Sequence, residues 1–152
     1  MTIEEFHAPL NVLLAEDDTD DRFFFDKALK ELPIKTRLTI FKDGEELMNY
    51  LSNNSEGLPD VLFLDLSMPR KTGFECLIEI KENDTLKDLP VVMFSTSYSY
   101  DNSYEKNIMD VLHKIGAQDY IRKPSNFNQL KQLIHQVLIK ITEQKSINRL
   151  NL

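Results

Sequence analysis

Residues 61–65 read VLFLD, so four consecutive apolar residues end in one carboxylate, Asp65. The run is too short for a helix, and it lacks the alternation of a strand with one face in water. Such a run is typical of a strand in a parallel sheet that helices cover on both faces. We therefore predict a buried strand over residues 61–64, with Asp65 at its carboxyl end.

Comparable runs occur along the rest of the chain. They lie at residues 11–15 (NVLLA), 91–94 (VVMF) and, more weakly, 120–121 (YI). Residues 37–41 (RLTIF) are partly alternating and β-branched, which favours a strand as well. The sequence therefore predicts five strands in all.

Apolar residues at helical spacing fill the segments after these strands, and packing against a sheet explains every stripe. The five stripes are Phe23, Phe24, Ala28 and Leu29; Leu47, Met48 and Leu51; Phe74, Leu77, Ile78 and Ile80; Ile108, Val111, Leu112 and Ile115; and Phe127, Leu130, Leu133, Ile134, Val137, Leu138 and Ile141. Gly116 follows the fourth stripe and suits the end of a helix. Five strand–helix repeats predict an α/β doubly wound domain with right-handed crossovers.

The length of 152 residues fits one domain. We predict a lead-in over residues 1–9, a domain over residues 10–142 and a polar tail over residues 143–152. Neither a GxGxxG nor a P-loop motif is present, which argues against classical dinucleotide or P-loop chemistry.

The bulk properties indicate a cytoplasmic protein. The first residues, MTIEE, are acidic where a signal peptide is basic, and no apolar run approaches the roughly 20 residues of a membrane span.

The single Cys76 cannot form an internal disulfide, which also suits a reducing compartment. Core packing explains this cysteine better than a nucleophilic role, because no histidine is near it in sequence. A net charge of −7 argues against a nucleic-acid partner.

Residues that suit one chemical site follow four of the five predicted strands. Acids at residues 16–18, Asp65, the hydroxyls of Ser95 and Thr96, and Lys123 would converge at the carboxyl edge of a parallel sheet. Clustered carboxylates need a cation, and oxygen ligands suit Mg²⁺. A carboxylate can also attack a phosphoryl group whose charge a metal, a lysine and a hydroxyl offset.

Four stretches carry a resemblance to the receiver family of response regulators, the chemotaxis-receiver-like proteins of two-component signalling. They are LLAEDD at 13–18, LFLDLSMPRKTG at 62–73, VVMFSTS at 91–97 and DYIRKP at 119–124. The resemblance implies a flavodoxin-like sheet in the strand order 2-1-3-4-5. It also implies Mg²⁺-dependent phosphorylation by a partner histidine kinase or histidine phosphotransfer protein. Such a protein is a signalling module that catalyses its own phosphorylation and dephosphorylation, rather than an enzyme.

By the same resemblance, Asp65 is the phosphoacceptor and a metal ligand. Asp17 would bind the metal directly, Glu16 through water or at the edge of its shell, and Ser67 through its backbone carbonyl. The remaining acids of the run are explained by capping and by the dipole of the first helix: Asp18, Asp20 and Asp21.

The resemblance also assigns the phosphoryl-binding and switch residues. Thr96 would donate its hydroxyl to a phosphoryl oxygen, with Ser95 as the alternative. Lys123 would donate its ammonium, and its bond to Pro124 is expected to be cis. Tyr120 would move inward on activation, although core packing also explains a tyrosine in a strand.

We expect no output module after residue 142, so the signal would pass through an output protein, a homodimer or a phosphorelay. Residues 98–107 lengthen the segment between Thr96 and Lys123, and the bulk of Tyr98 is expected to slow loss of the phosphoryl group.

A pseudo-receiver that binds partners without phosphorylation is the main alternative function. A phosphatase with an aspartyl-phosphate is disfavoured, because it needs an acid where Ser67 stands.

Overall fold

A computed structural model describes residues 8–53, 57–96 and 102–150, except for the side chains of residues 102–105 and 149. Strands and helices alternate along these residues. In chain order they are β1 (Leu10–Ala15), α1 (Thr19–Lys30), β2 (Thr36–Phe41), α2 (Gly44–Asn53), β3 (Val61–Asp65), α3 (Gly73–Glu82), β4 (Val91–Ser95), α4 (Asn102–Ile115), β5 (Asp119–Arg122) and α5 (Phe127–Leu150).

The strands form one parallel sheet in the order β2-β1-β3-β4-β5. This order confirms the predicted flavodoxin-like fold. All five residues of β3 are buried, as its uninterrupted apolar run predicted. The five predicted strands are present, each one or two residues longer than its apolar run.

The core has two layers because side chains of each strand alternate between the faces of the sheet. Leu62 and Leu64 pack in the layer that contains α2, α3 and α4. Val61 and Phe63 pack in the layer that contains α1 and α5. The two layers together cover both faces of the central strands.

The apolar face of α1 differs from the prediction. Phe25, Ala28 and Leu29 are buried, whereas Phe23 and Phe24 are 62% and 44% exposed. Residues 25, 28 and 29 share the spacing of one helix face, and Phe25 meets Phe63 edge to face at 4.9 Å. Because residues 23–25 are all phenylalanine, the sequence pattern did not distinguish the buried face of α1 from its neighbour.

The other helices follow their predicted stripes with two exceptions, Phe74 and Val111, which are exposed. Cys76 is buried as predicted, and burial raises the pKa of its thiol to about 11. Gly116 ends α4 with a φ of 126°, a left-handed conformation that favours glycine.

The predicted tail continues α5 as a helix as far as Leu150. Lys145 on this extension donates to Asp60 at 2.7 Å, and Asp60 also accepts from the backbone N–H of Asn11 at 2.7 Å. These bonds hold the extension against the amino-terminal edge of the sheet. Within the described part of the chain, no helix combines the length and the apolar character that crossing a bilayer requires.

Candidate functional site

The sheet register brings the predicted site residues to one edge. Ala15 pairs with Leu64, and Asp65 pairs with Phe94 in the next strand. Glu16 and Asp17 follow β1 directly, Ser95 ends β4, and Lys123 follows β5. The carboxyl ends of parallel strands are where ligands bind in such sheets.

Three acids form a group suited to a divalent cation. Glu16, Asp17 and Asp65 each offer an oxygen, and these oxygens lie within 4.8 Å of one another. Glu16 and Asp65 are 1% and 6% exposed, whereas Asp17 is exposed. Oxygen donors at this separation fit Mg²⁺ or Mn²⁺, and a cation would offset their repulsion.

Ser67 lies beside this group. Its backbone N–H donates to an Asp65 carboxylate oxygen at 3.4 Å. The metal contact predicted for its carbonyl stays a prediction.

The first turn of α1 fixes the acids that follow β1. Asp18 caps the helix by accepting from the N–H of Asp21 at 2.9 Å, which confirms its capping role. The Arg22 guanidinium donates to the backbone carbonyls of Glu16 and Asp17, both at 3.0 Å. The loop carrying the acid pair is therefore held from the helix side.

Lys123 follows β5 and brings a positive charge to the acids. Its side chain is 10% exposed, and its ammonium forms ion pairs with Glu16, with Asp21 at 3.1 Å and with Asp65 at 3.5 Å. An ammonium has three donors, so each can face one carboxylate.

The bond from Lys123 to Pro124 is trans, because the described residues contain no cis peptide bond. The predicted cis bond is therefore wrong. The trans isomer is the preferred one for an X–Pro bond, by about 0.5–1 kcal/mol. In this isomer the Lys123 N–H donates to the carbonyl of Ser95 at 2.8 Å, and its side chain reaches the acids.

The charges of the site shift two pKa values. Burial raises the pKa of Asp65 to about 8, and the hydrogen bond and negative charge of Glu16 add to this, while Lys123 and the Ser67 amide oppose it. Burial lowers the pKa of Lys123, but the Glu16 hydrogen bond and the negative charge of Asp65 outweigh it, so the net shift is upward. The ammonium therefore stays charged, and Asp65 holds a proton at neutral pH unless a cation displaces it.

The two candidate hydroxyls differ in burial. Ser95 is 6% exposed and is the final residue of β4, whereas Thr96 is exposed. Ser95 donates its hydroxyl to the carbonyl of Thr96 at 3.0 Å. The phosphoryl-binding role predicted for Thr96 stays a prediction, and the burial of Ser95 strengthens the alternative.

Tyr120 is half-buried opposite Met93 and packs against the core layer of α2, α3 and α4. It borders a cavity of about 220 Å³ that Met109, Leu112 and Ala117 also line. Its switching role stays a prediction. Tyr98 lies outside the described residues, so its proposed effect stays a prediction as well.

Two features of the site were not predicted from the sequence. Asp21 was assigned to capping and to the helix dipole, yet it is an ion-pair partner of Lys123. Its position in the first turn of α1 was the available signal, since helical side chains point toward the amino terminus. Gly73 approaches the backbone of Asp65 so closely that a Cβ would lie 2.0 Å from the Asp65 carbonyl oxygen.

Comparison with known proteins agrees with the observed fold. The family described as the response regulator receiver domain matches residues 12–135. Response regulator Rcp1 of Synechocystis sp. is 36% identical over 118 residues, which cover 73% of this chain and 80% of the relative.

Solved structures agree with this family match. The Mn²⁺-bound form of Rcp1 superposes with a TM-score of 0.72 at 30% identity, over 85% of this chain and 91% of that one. The phosphorylated cyanobacterial phytochrome response regulator RcpA gives 0.73 at 34% identity, over 86% and 91%. With its parallel sheet, its edge of acids and lysine, and a family match over most of its length, the chain belongs to the receiver domain family of response regulators in two-component signalling.

Proposed function

We propose that this receiver accepts a phosphoryl group on Asp65 from the phosphohistidine of a histidine kinase or a histidine phosphotransfer protein, in a Mg²⁺-dependent reaction. The observation that carries the proposal is the buried Asp65, with two more acids and the Lys123 ammonium around it. Among its relatives, Rcp1 has been solved with Mn²⁺ and RcpA has been solved phosphorylated.

The donor set fits Mg²⁺, because three carboxylates supply oxygens within 4.8 Å of one another. Asp17 and Asp65 would bind it directly, Glu16 would lie at the edge of its shell, and Ser67 would add its backbone carbonyl. When bound, Mg²⁺ supplies positive charge that offsets the charge of the phosphoryl oxygens.

Phosphoryl transfer forms a bond between an ionised Asp65 oxygen and phosphorus while the phosphorus–nitrogen bond to the donor histidine breaks. The histidine nitrogen leaves with the electron pair of that bond. Lys123 donates a hydrogen bond to one phosphoryl oxygen, and the hydroxyl of Thr96, or of its neighbour Ser95, donates to another. Hydrolysis later transfers the phosphoryl group to water and restores Asp65.

The signal would leave the site as a shift between two conformations. New charge-assisted hydrogen bonds to the phosphoryl group draw the end of β4 inward, and Tyr120 repacks in response. The output then passes to a protein partner, to a second copy of the chain or along a phosphorelay.

The test is incubation of the chain with acetyl phosphate and Mg²⁺, followed by intact-mass measurement. We expect the mass gain of one phosphoryl group in the wild type, and none in Asp65→Asn or after chelation of the metal. Asp84→Asn serves as the matched control, because this aspartate on the α3–β4 connection is 97% exposed. A wild type that gains no mass would instead support the pseudo-receiver that binds partners unphosphorylated.

A further inference from the structure

We propose that Asp21 is a positioning residue that holds the Lys123 ammonium on the α1 side of the site and so restrains phosphorylation of Asp65. The inference rests on the proposed function, since it concerns how readily Lys123 meets an incoming phosphoryl group.

The distances show which side holds the ammonium. Lys123 lies closer to Glu16 and Asp21 than to Asp65, which is 3.5 Å away. Three carboxylates thus face the three donors of one ammonium. Donation to a phosphoryl oxygen requires at least one of these contacts to lengthen. The contact with Asp21 is the outermost, because the Asp21 side chain is 40% exposed while those of Glu16 and Asp65 are buried.

The backbone of α1 fixes Asp21 in this position. Its N–H donates to the capping carboxylate of Asp18 at 2.9 Å, and the next residue, Arg22, is bound to the carbonyls of the preceding loop. Asp21 is not a member of the acid group that suits a cation, which consists of Glu16, Asp17 and Asp65. Replacing Asp21 therefore leaves the predicted metal ligands in place.

Asp20 provides a matched control for the charge of Asp21. It is the preceding residue in the same first turn of α1, it is exposed, and it has the same charge. It is not an ion-pair partner of Lys123. A general effect of negative charge on an anionic donor would appear in both variants, whereas release of Lys123 would appear in only one.

Asp21→Asn keeps the shape of the side chain and removes its charge, so Lys123 is held by Glu16 alone on that side. We expect the rate of phosphorylation at fixed, subsaturating acetyl phosphate to rise about fivefold, the scale of one partly exposed ion pair. Asp20→Asn should stay within about twofold of the wild type. Asp21→Glu, which restores the charge, should return the rate toward the wild-type value.

The experiment measures these rates by intact mass, with thermal melting and Mg²⁺ titration calorimetry on every variant. Asp21→Ser gives a second measurement should the asparagine variant fold poorly. In a Lys123→Gln background, Asp21→Asn should no longer change the rate. Equal rates for Asp21→Asn and Asp20→Asn, or an effect that persists without Lys123, would overturn the inference. Failure of the wild type to accept a phosphoryl group from acetyl phosphate would instead overturn the proposed function.

Discussion

At the scale of single residues, Ser95 and Thr96 offer neighbouring hydroxyls, and burial is what separates them. Ser95 closes β4 beside the strand that carries Asp65, and its carbonyl accepts the N–H of Lys123 at 2.8 Å. Thr96 is exposed beyond the end of the strand. A hydroxyl fixed within the sheet edge needs less reordering to bind a phosphoryl oxygen than an exposed one.

We therefore expect Ser95→Ala to slow phosphorylation by acetyl phosphate about tenfold, the scale of one hydrogen bond to a charged group. Thr96→Ala should change the rate less than about threefold. Rates measured by intact mass on both variants decide between them. If Thr96→Ala has the larger effect, the prediction made from the sequence is restored.

Most residues of the candidate site could be located from the sequence, but one of their contacts could not. Asp65, Glu16, Asp17 and Lys123 were located because each lies within two residues of the end of a predicted strand, and strand ends at one edge must meet. The contact between Asp21 and Lys123 depends on two side chains 102 positions apart. The first turn of α1 indicates a direction for the Asp21 side chain, but no local pattern encodes the partner that it meets over that separation.

At the scale of elements, the junction of β1 and α1 sets the position of the acid pair. The Arg22 guanidinium donates to the carbonyls of residues 16 and 17 and to the hydroxyl of Thr19 at 3.1 Å. Its N–H donors lie in a rigid planar fork, a fixed geometry that the flexible ammonium of a lysine does not reproduce. The helix thereby acts on the predicted metal ligands without touching the metal.

Arg22→Met should accordingly weaken Mg²⁺ binding about three- to tenfold, because the loop with Glu16 and Asp17 loses its support. Arg22→Lys should recover the charge but only part of the affinity. Isothermal titration with MgCl₂ measures both. Lys30→Met on the last turn of α1 is the control, since its side chain is 75% exposed and pairs with Asp26 one turn earlier on the same helix. An affinity loss equal to that of Lys30→Met would contradict the role of Arg22.

The strands were predictable to within one residue at either end, whereas the end of α5 and the buried face of α1 were not. The stripe of α5 was correct because Ile134, Val137, Leu138 and Ile141 repeat over two turns. In α1, consecutive phenylalanines made two faces equally apolar in sequence. Only the packing of Phe25 between Phe63 and Phe94 selects one of them.

At the scale of the whole molecule, the fold gathers negative charge at one edge of the sheet, at a cost in stability. The pKa of Asp65 is about 8 in the folded chain, against 3.8 for an ordinary aspartate. Between about pH 4 and pH 8 the folded state therefore binds a proton that the unfolded state lacks. Stability falls as pH rises through this window, and the full penalty is present above the folded pKa.

Asp65→Asn removes that penalty, so it should stabilise the chain in the presence of a chelator at pH 8 by about 1–2 kcal/mol, or roughly 2–8 °C in melting temperature. The gain is smaller than the whole shift would give, because Glu16 and Lys123 lose a coupled partner. At pH 4 the two proteins should melt together, since Asp65 is then protonated in the folded wild type. Added Mg²⁺ should raise the wild-type melting temperature more than that of Asp65→Asn, because a ligand stabilises the state that binds it. Calorimetric scans across this pH range measure all three effects, with Asp84→Asn as the control for a lost surface charge. A difference in melting temperature that does not change with pH would contradict the raised pKa of Asp65, which burial causes and which the Glu16 hydrogen bond and charge increase.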